Sequence, residues 1–116
     1  MSEIKRSDDA QEFNAEGATV PFYKYTIDNI EYIEFDTSRC GPPEPMVNAM
    51  TALSFLKDSG TKVVMINHKN PGGLINKIGE NFDVDISNRE DGTFQILFSY
   101  KQGDSEKADL SQNTCG

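Results

Sequence analysis

Apolar residues change their spacing several times along this chain, and each change marks an element. Residues 22–27 (FYKYTI) and 30–36 (IEYIEFD) are rich in aromatic and β-branched residues, with Asp28-Asn29 between them. Two such runs flanking a two-residue turn predict a β-hairpin. Past Pro42, Pro43 and Pro45, the residues Met46, Ala49, Met50, Leu53 and Leu56 recur at the spacing of an amphipathic helix. The missing N–H of a proline costs nothing in the first turn, so this helix is expected to open at Pro45 and stop at Gly60.

Residues 62–67 (KVVMIN) form an apolar run too short for a helix, which predicts a buried central strand. Asn70-Pro71-Gly72-Gly73 supplies a cap and a first-turn proline for a short helix, Leu74 to Asn81. Phe82, Val84 and Ile86 then alternate with Asp83 and Asp85, the signature of a strand with one wet face. After the turn Arg89-Glu90-Asp91-Gly92, the residues Phe94, Ile96, Phe98 and Tyr100 alternate through a last strand. The predicted order is β-α-β-α-β-β with an extra N-terminal hairpin strand. An α+β two-layer sandwich, two helices on one face of a mixed four- or five-stranded sheet, buries these stripes most economically. The expected core is Ile33, Phe35, Met46, Ala49, Met50, Leu53, Leu56, Val63, Val64, Met65, Ile66, Leu74, Ile75, Ile78, Val84, Ile86, Phe94, Ile96 and Phe98.

Composition divides the chain into three parts. Its 116 residues carry a net charge of -8, with room for one hydrophobic core. Residues 1–20 hold five acids and two bases among scattered apolar residues and predict an unstructured acidic arm. Residues 103–116 (GDSEKADLSQNTCG) predict an acidic tail of the same kind, which leaves 21–102 as the folded domain. A pI near 4.5 without a basic patch argues against direct nucleic-acid binding. The opening MSEIKRSDDAQEF has no apolar core of a secretory signal, and no stretch reaches the ~18 apolar residues of a membrane span. A cytoplasmic protein is the expectation. One histidine excludes a multi-histidine metal site within the chain, and no cofactor motif is present.

The most unusual stretch is Ser38-Arg39-Cys40-Gly41-Pro42-Pro43-Glu44-Pro45, between the end of a strand and the head of a helix. Unpaired backbone N–H groups at such a place favour a thiolate, a carboxylate or a phosphate. Cys40 lies beside Arg39, and Gly41 lets a backbone or ligand approach closely. The same residues are also what a plain turn needs, with Cys40 as a small hydrophobe closing the strand.

The element order and the Pro43-Glu44-Pro45 head of the first helix resemble the TusA/SirA-like sulfur-carrier family. There a Cys-Pro-x-Pro motif opens the first helix of a β-α-β-α-β-β sandwich, and its cysteine accepts a persulfide from a desulfurase and passes it on. The likeness runs from about Ile33 to Tyr100 and includes the strand Lys62 to Asn67, Asn70-Pro71 and the final strand pair. Pro42 stands where the motif has its cysteine, and Cys40 lies two residues upstream. Pro-Pro-Glu-Pro in place of Cys-Pro-x-Pro is closer to an uncharacterised TusA-like branch, often without the catalytic cysteine.

Other groups carry weaker chemistry. His68, Lys69 and Asn70 join a central strand to the second helix, where α/β sheets place ligand-binding groups and a cation could hold an anion. Gly72-Gly73 lacks the Gly-Lys-Ser/Thr ending of a phosphate loop. Asp83 and Asp85 share a strand face, with Glu31 as a possible third carboxylate; alternating acids on a wet face are usually solvated.

Three readings follow. The favoured one is a non-catalytic binding or adaptor module that presents Arg39, Gly41, Pro42, Pro43, Glu44 and Pro45, with His68, Lys69 and Asn70, to a protein or small ligand. The alternative is a sulfur carrier with Cys40 as the persulfide-accepting thiol and a desulfurase or sulfur acceptor as partner. The third is a redox sensor pairing Cys40 with Cys115.

Overall fold

Asp28 and Asn29 both adopt positive φ, 52° and 68°. That is the geometry of a two-residue hairpin turn whose twist matches its strands, and Asn and Asp tolerate it better than other side chains. The turn joins β2 (Phe22–Ile27) to β3 (Ile30–Asp36), paired antiparallel with Phe22 opposite Phe35 and Ile27 opposite Ile30. The computed structural model describes residues 6, 8–41 and 43–101. Pro42 and residues 102–116, with the expected acidic tail and Cys115, lie outside the described residues.

From β3 the chain crosses through α1 (Glu44–Leu53) to β4 (Thr61–Asn67), which lies parallel to β3. From β4 it passes through α2 (Gly72–Ile78) to β5 (Phe82–Asn88) and returns as β6 (Phe94–Tyr100), inserted between β5 and β4. A short strand, β1 (Gln11–Phe13), pairs with β2. The result is a six-stranded mixed sheet in the order β1-β2-β3-β4-β6-β5. With the two helices it forms the α+β sandwich expected of the sequence, with six strands in place of the four or five expected.

The register sorts side chains by face. Phe35, Met65, Ile96 and Ile86 form one row across the sheet, and Ile33, Val63, Phe98 and Val84 form another. Both rows belong to the cluster that Met46, Ala49, Met50 and Leu53 of α1 and Leu74 and Ile78 of α2 complete. Both helices therefore cover the same face. The buried strand β4 has apolar residues on both sides, because Val64 and Ile66 point the other way, beside Leu97. Val84, Ile86, Phe94 and Ile75, expected in the core, are only half-buried. Val84 and Ile86 sit on the edge strand β5 and so have a sheet neighbour on one side only.

Residues 11–20 are structured where composition predicts an unstructured arm. Phe13 meets Phe22 and Phe55 edge-on, each at 5.9 Å between ring centres, and Ala15, Ala18 and Val20 pack against the core. Scattered apolar residues thus serve as separate anchors. The segment is further fixed to α1 by Asn48, a fully buried amide within the helix. Its Oδ1 accepts from the Thr19 N–H, and its Nδ2 donates to the Thr19 hydroxyl oxygen, each at 2.8 Å.

On the other sheet face Arg6 reaches over β2 and β3. Its guanidinium carbon lies 3.6 Å from the centre of the Tyr23 ring, a cation–π contact. Its Nε and Nη2 donate to Glu34 Oε2 at 2.9 and 2.7 Å, while Glu34 Oε1 accepts from the Tyr25 hydroxyl at 2.8 Å. Glu34 is a buried carboxylate whose charge is matched by these donors. No helix among the described residues is long and apolar enough to cross a membrane.

The helices differ from expectation at their ends. α1 starts at Glu44, with Pro43 in the N-cap position and Pro45 still in the first turn. It ends at Leu53, not Gly60, because the next amides bond three residues back: Phe55 to Ala52 and Leu56 to Leu53. α2 starts at Gly72, two residues before the expected Leu74, and Asn70 does not cap it.

Candidate functional site: a cleft between two helix heads

The carboxyl ends of the parallel strands β3 and β4 lie side by side, and each leads through a loop into a helix. Open α/β sheets bind ligands in the crevice beyond such strand ends. Here the crevice is a cleft of about 360 Å³ lined by Pro45 and Met46 of α1, Met65 and Asn67 of β4, the connecting residues 68–71, and Gly72, Gly73 and Leu74 of α2. Its volume falls in the range of small-ligand sites.

A polar clasp sets the cleft floor. The Thr37 N–H donates to the Ile66 carbonyl at 2.8 Å. The Thr37 hydroxyl lies 3.1 Å from that carbonyl oxygen and 3.0 Å from Asn67 Oδ1, and Asn67 Nδ2 donates to the Lys69 carbonyl at 3.0 Å. Thr37 and Asn67 are both buried. They lock the start of the proline loop to the end of β4 and fix the path of residues 68–70.

The structure brings together Pro45, His68, Lys69 and Asn70, which the sequence places in two separate segments. Arg39, Cys40, Gly41, Pro43 and Glu44 do not line the cleft. Pro42 lies outside the described residues. Glu44 is engaged elsewhere: its Oε1 accepts from the Thr19 hydroxyl at 2.8 Å. Sequence reasoning places Met46, Met65 and Leu74 in the core, where they are, but does not show that they also wall a cleft. Apolar periodicity reports burial and carries no signal for a gap between two buried stripes.

Cys40 has a free, half-buried thiol. Burial raises its pKa, and the Glu44 and Asp36 carboxylates raise it further. A helix head beside Arg39 would favour a thiolate; the surroundings of Cys40 favour the neutral thiol instead. Arg39, adjacent in sequence, is not among the groups that shift it.

Asp83 and Asp85 share the open sheet face on β5. Glu31 does not join them: β5 is three positions from β3 in the sheet, and Glu31 has the opposite facing parity. Among the described residues no group of three His, Cys, Asp or Glu side chains is placed to hold a metal.

The fold and site together define a two-layer α+β sandwich with a ligand-sized cleft at the heads of its two helices. The chain matches no family model, no curated protein sequence and no solved structure.

Proposed function

We propose that this protein is a non-catalytic binding module built on a TusA-like scaffold, with its recognition site in the cleft between the heads of α1 and α2. The observation that carries the reading is the convergence of Pro45 and Met46 with Asn67–Leu74 around one cavity. Such a concave, largely apolar site with a few polar groups at its mouth is the usual form of a ligand site. Two features support binding over group transfer. Cys40 does not line the cleft, and its surroundings favour the neutral thiol. A sulfur carrier needs an exposed, stabilised thiolate.

Chemical-shift mapping with a library of small fragments tests the reading. Shifts are expected to concentrate on Met46, Met65 and residues 67–74. Shifts concentrated on other surfaces, or none at all, would contradict it. The sulfur-carrier alternative makes a separate demand: a mass increase of one sulfur atom, dependent on Cys40, after incubation with a cysteine desulfurase and cysteine. No such adduct is expected.

A further inference from the structure

The geometry points to a small monocarboxylic acid with a hydrocarbon or aromatic body as the ligand of this cleft, its carboxylate at the Lys69 and His68 rim and its body over Met46, Met65 and Leu74. This inference rests on the binding reading above and adds the ligand class to it.

Charge is the first argument. The chain has 19 acidic and 11 basic residues, yet among the described residues no carboxylate lines the cleft. Among the described residues its only charged lining residue is Lys69, with His68 beside it. The whole stretch from Ser59 to Gly79 contains three lysines and no acid. Lys69 and His68 are both exposed, and among the described residues neither side chain has a hydrogen-bond or ion-pair partner. A ligand anion therefore meets an uncommitted ammonium and no opposing carboxylate.

Polarity inside the cleft is the second argument. The buried polar side chain on the floor, Asn67, already spends its carbonyl on Thr37 and its amide on the Lys69 carbonyl. A polar ligand body would lose its water here and gain little in return, which costs free energy. Methionine walls instead favour an apolar body, and their flexible thioethers adapt to its shape. Pro45 lacks the N–H that a helix head would otherwise offer to an anion. One flexible lysine is a point charge suited to a single negative group, whereas a phosphate ester usually draws several donors.

Titration of the intact protein with phenylacetate, phenylacetamide and phenethylammonium, followed by amide shifts, separates the possibilities. These probes share a body and differ in charge. Phenylacetate is expected to shift residues 65–74 and to bind about five-fold tighter than the amide, the most that an exposed pair supplies. The ammonium is expected to bind most weakly. The advantage of the carboxylate should shrink at high salt and vanish in Lys69→Met, a substitution at an exposed side chain that leaves the core intact. If all three bind the cleft equally, or the ammonium binds best, the ligand class is wrong and the binding reading stands. If none shifts the cleft residues, both fail.

Discussion

Phe35→Ala is expected to destabilise the protein by about 3–5 kcal/mol. Phe35 is wholly buried at the centre of the helix-covered face, between Phe22 on β2 and Met65 on β4. Its ring stacks on Phe22 with 5.2 Å between centres and 21° between planes. Truncation removes that contact and opens a cavity under both helices, which a close-packed core only partly refills. Leu53→Ala, buried in the same cluster, should cost ~2–5 kcal/mol for the same reason. Urea denaturation monitored by circular dichroism gives both values. A loss below about 1 kcal/mol at Phe35 would mean that the sheet register is misassigned.

Glu34→Ala is the second large effect, and it arises from polar groups. The substitution strands the buried Tyr25 hydroxyl and removes the acceptor of the Arg6 guanidinium. A buried donor left without a partner costs about 1–3 kcal/mol, and Glu34→Ala should lie at the upper end of that range. Arg6→Ala should also destabilise, because it leaves the buried Glu34 carboxylate with the Tyr25 hydroxyl but without its matching cation. Adding Tyr25→Phe to Glu34→Ala should recover part of the loss, since no hydroxyl is then stranded. A double mutant no more stable than Glu34→Ala alone would contradict this.

The same site gives a pH dependence. Burial pushes the Tyr25 phenol well above its ordinary value of 10.0, and the Glu34 carboxylate adds to the shift. The unfolded phenol therefore ionises first. The contribution of Tyr25 is complete below about pH 10 and declines as pH rises beyond it. Ultraviolet titration should show Tyr25 resisting ionisation until the protein unfolds, a resistance lost in Tyr25→Phe.

Local signals made most of the fold readable. The hairpin turn shows in Asp28-Asn29, α1 in the Met46–Leu56 stripe, and β4 in an apolar run bounded by polar residues. What local signals could not show were partners distant in sequence. Asn48 looks like a surface position in an amphipathic helix, yet it is buried against Thr19, 29 residues earlier. Glu34 reads as the wet position of a strand, yet it is buried under Arg6, 28 residues earlier. β1 escapes pattern reading because three residues with one aromatic contain no period. Phe22 and Phe82, at the starts of β2 and β5, are both fully buried although neither is in the expected core.

The site divides the same way. His68, Lys69 and Asn70 are legible from their place between a buried strand and a helix, and Pro45 from its place at a helix head. That these two segments share one cleft depends on the parallel pairing of β3 with β4, which no short motif encodes. Cys40 was the opposite case: a conspicuous residue in an unusual loop, beside an arginine in sequence. Folding brings Glu44 and Asp36 to bear on it instead.

The rate of Cys40 alkylation against pH tests most directly whether this loop serves binding or thiol chemistry, with Cys115→Ser removing the second thiol. The rate is expected to stay low through neutral pH and to reach its midpoint above 9.0, the ordinary thiol value from which burial and the two carboxylates raise it. A Cys40 already fully reactive at about pH 6 would mean a stabilised thiolate, and would contradict the non-catalytic account in favour of a sulfur carrier.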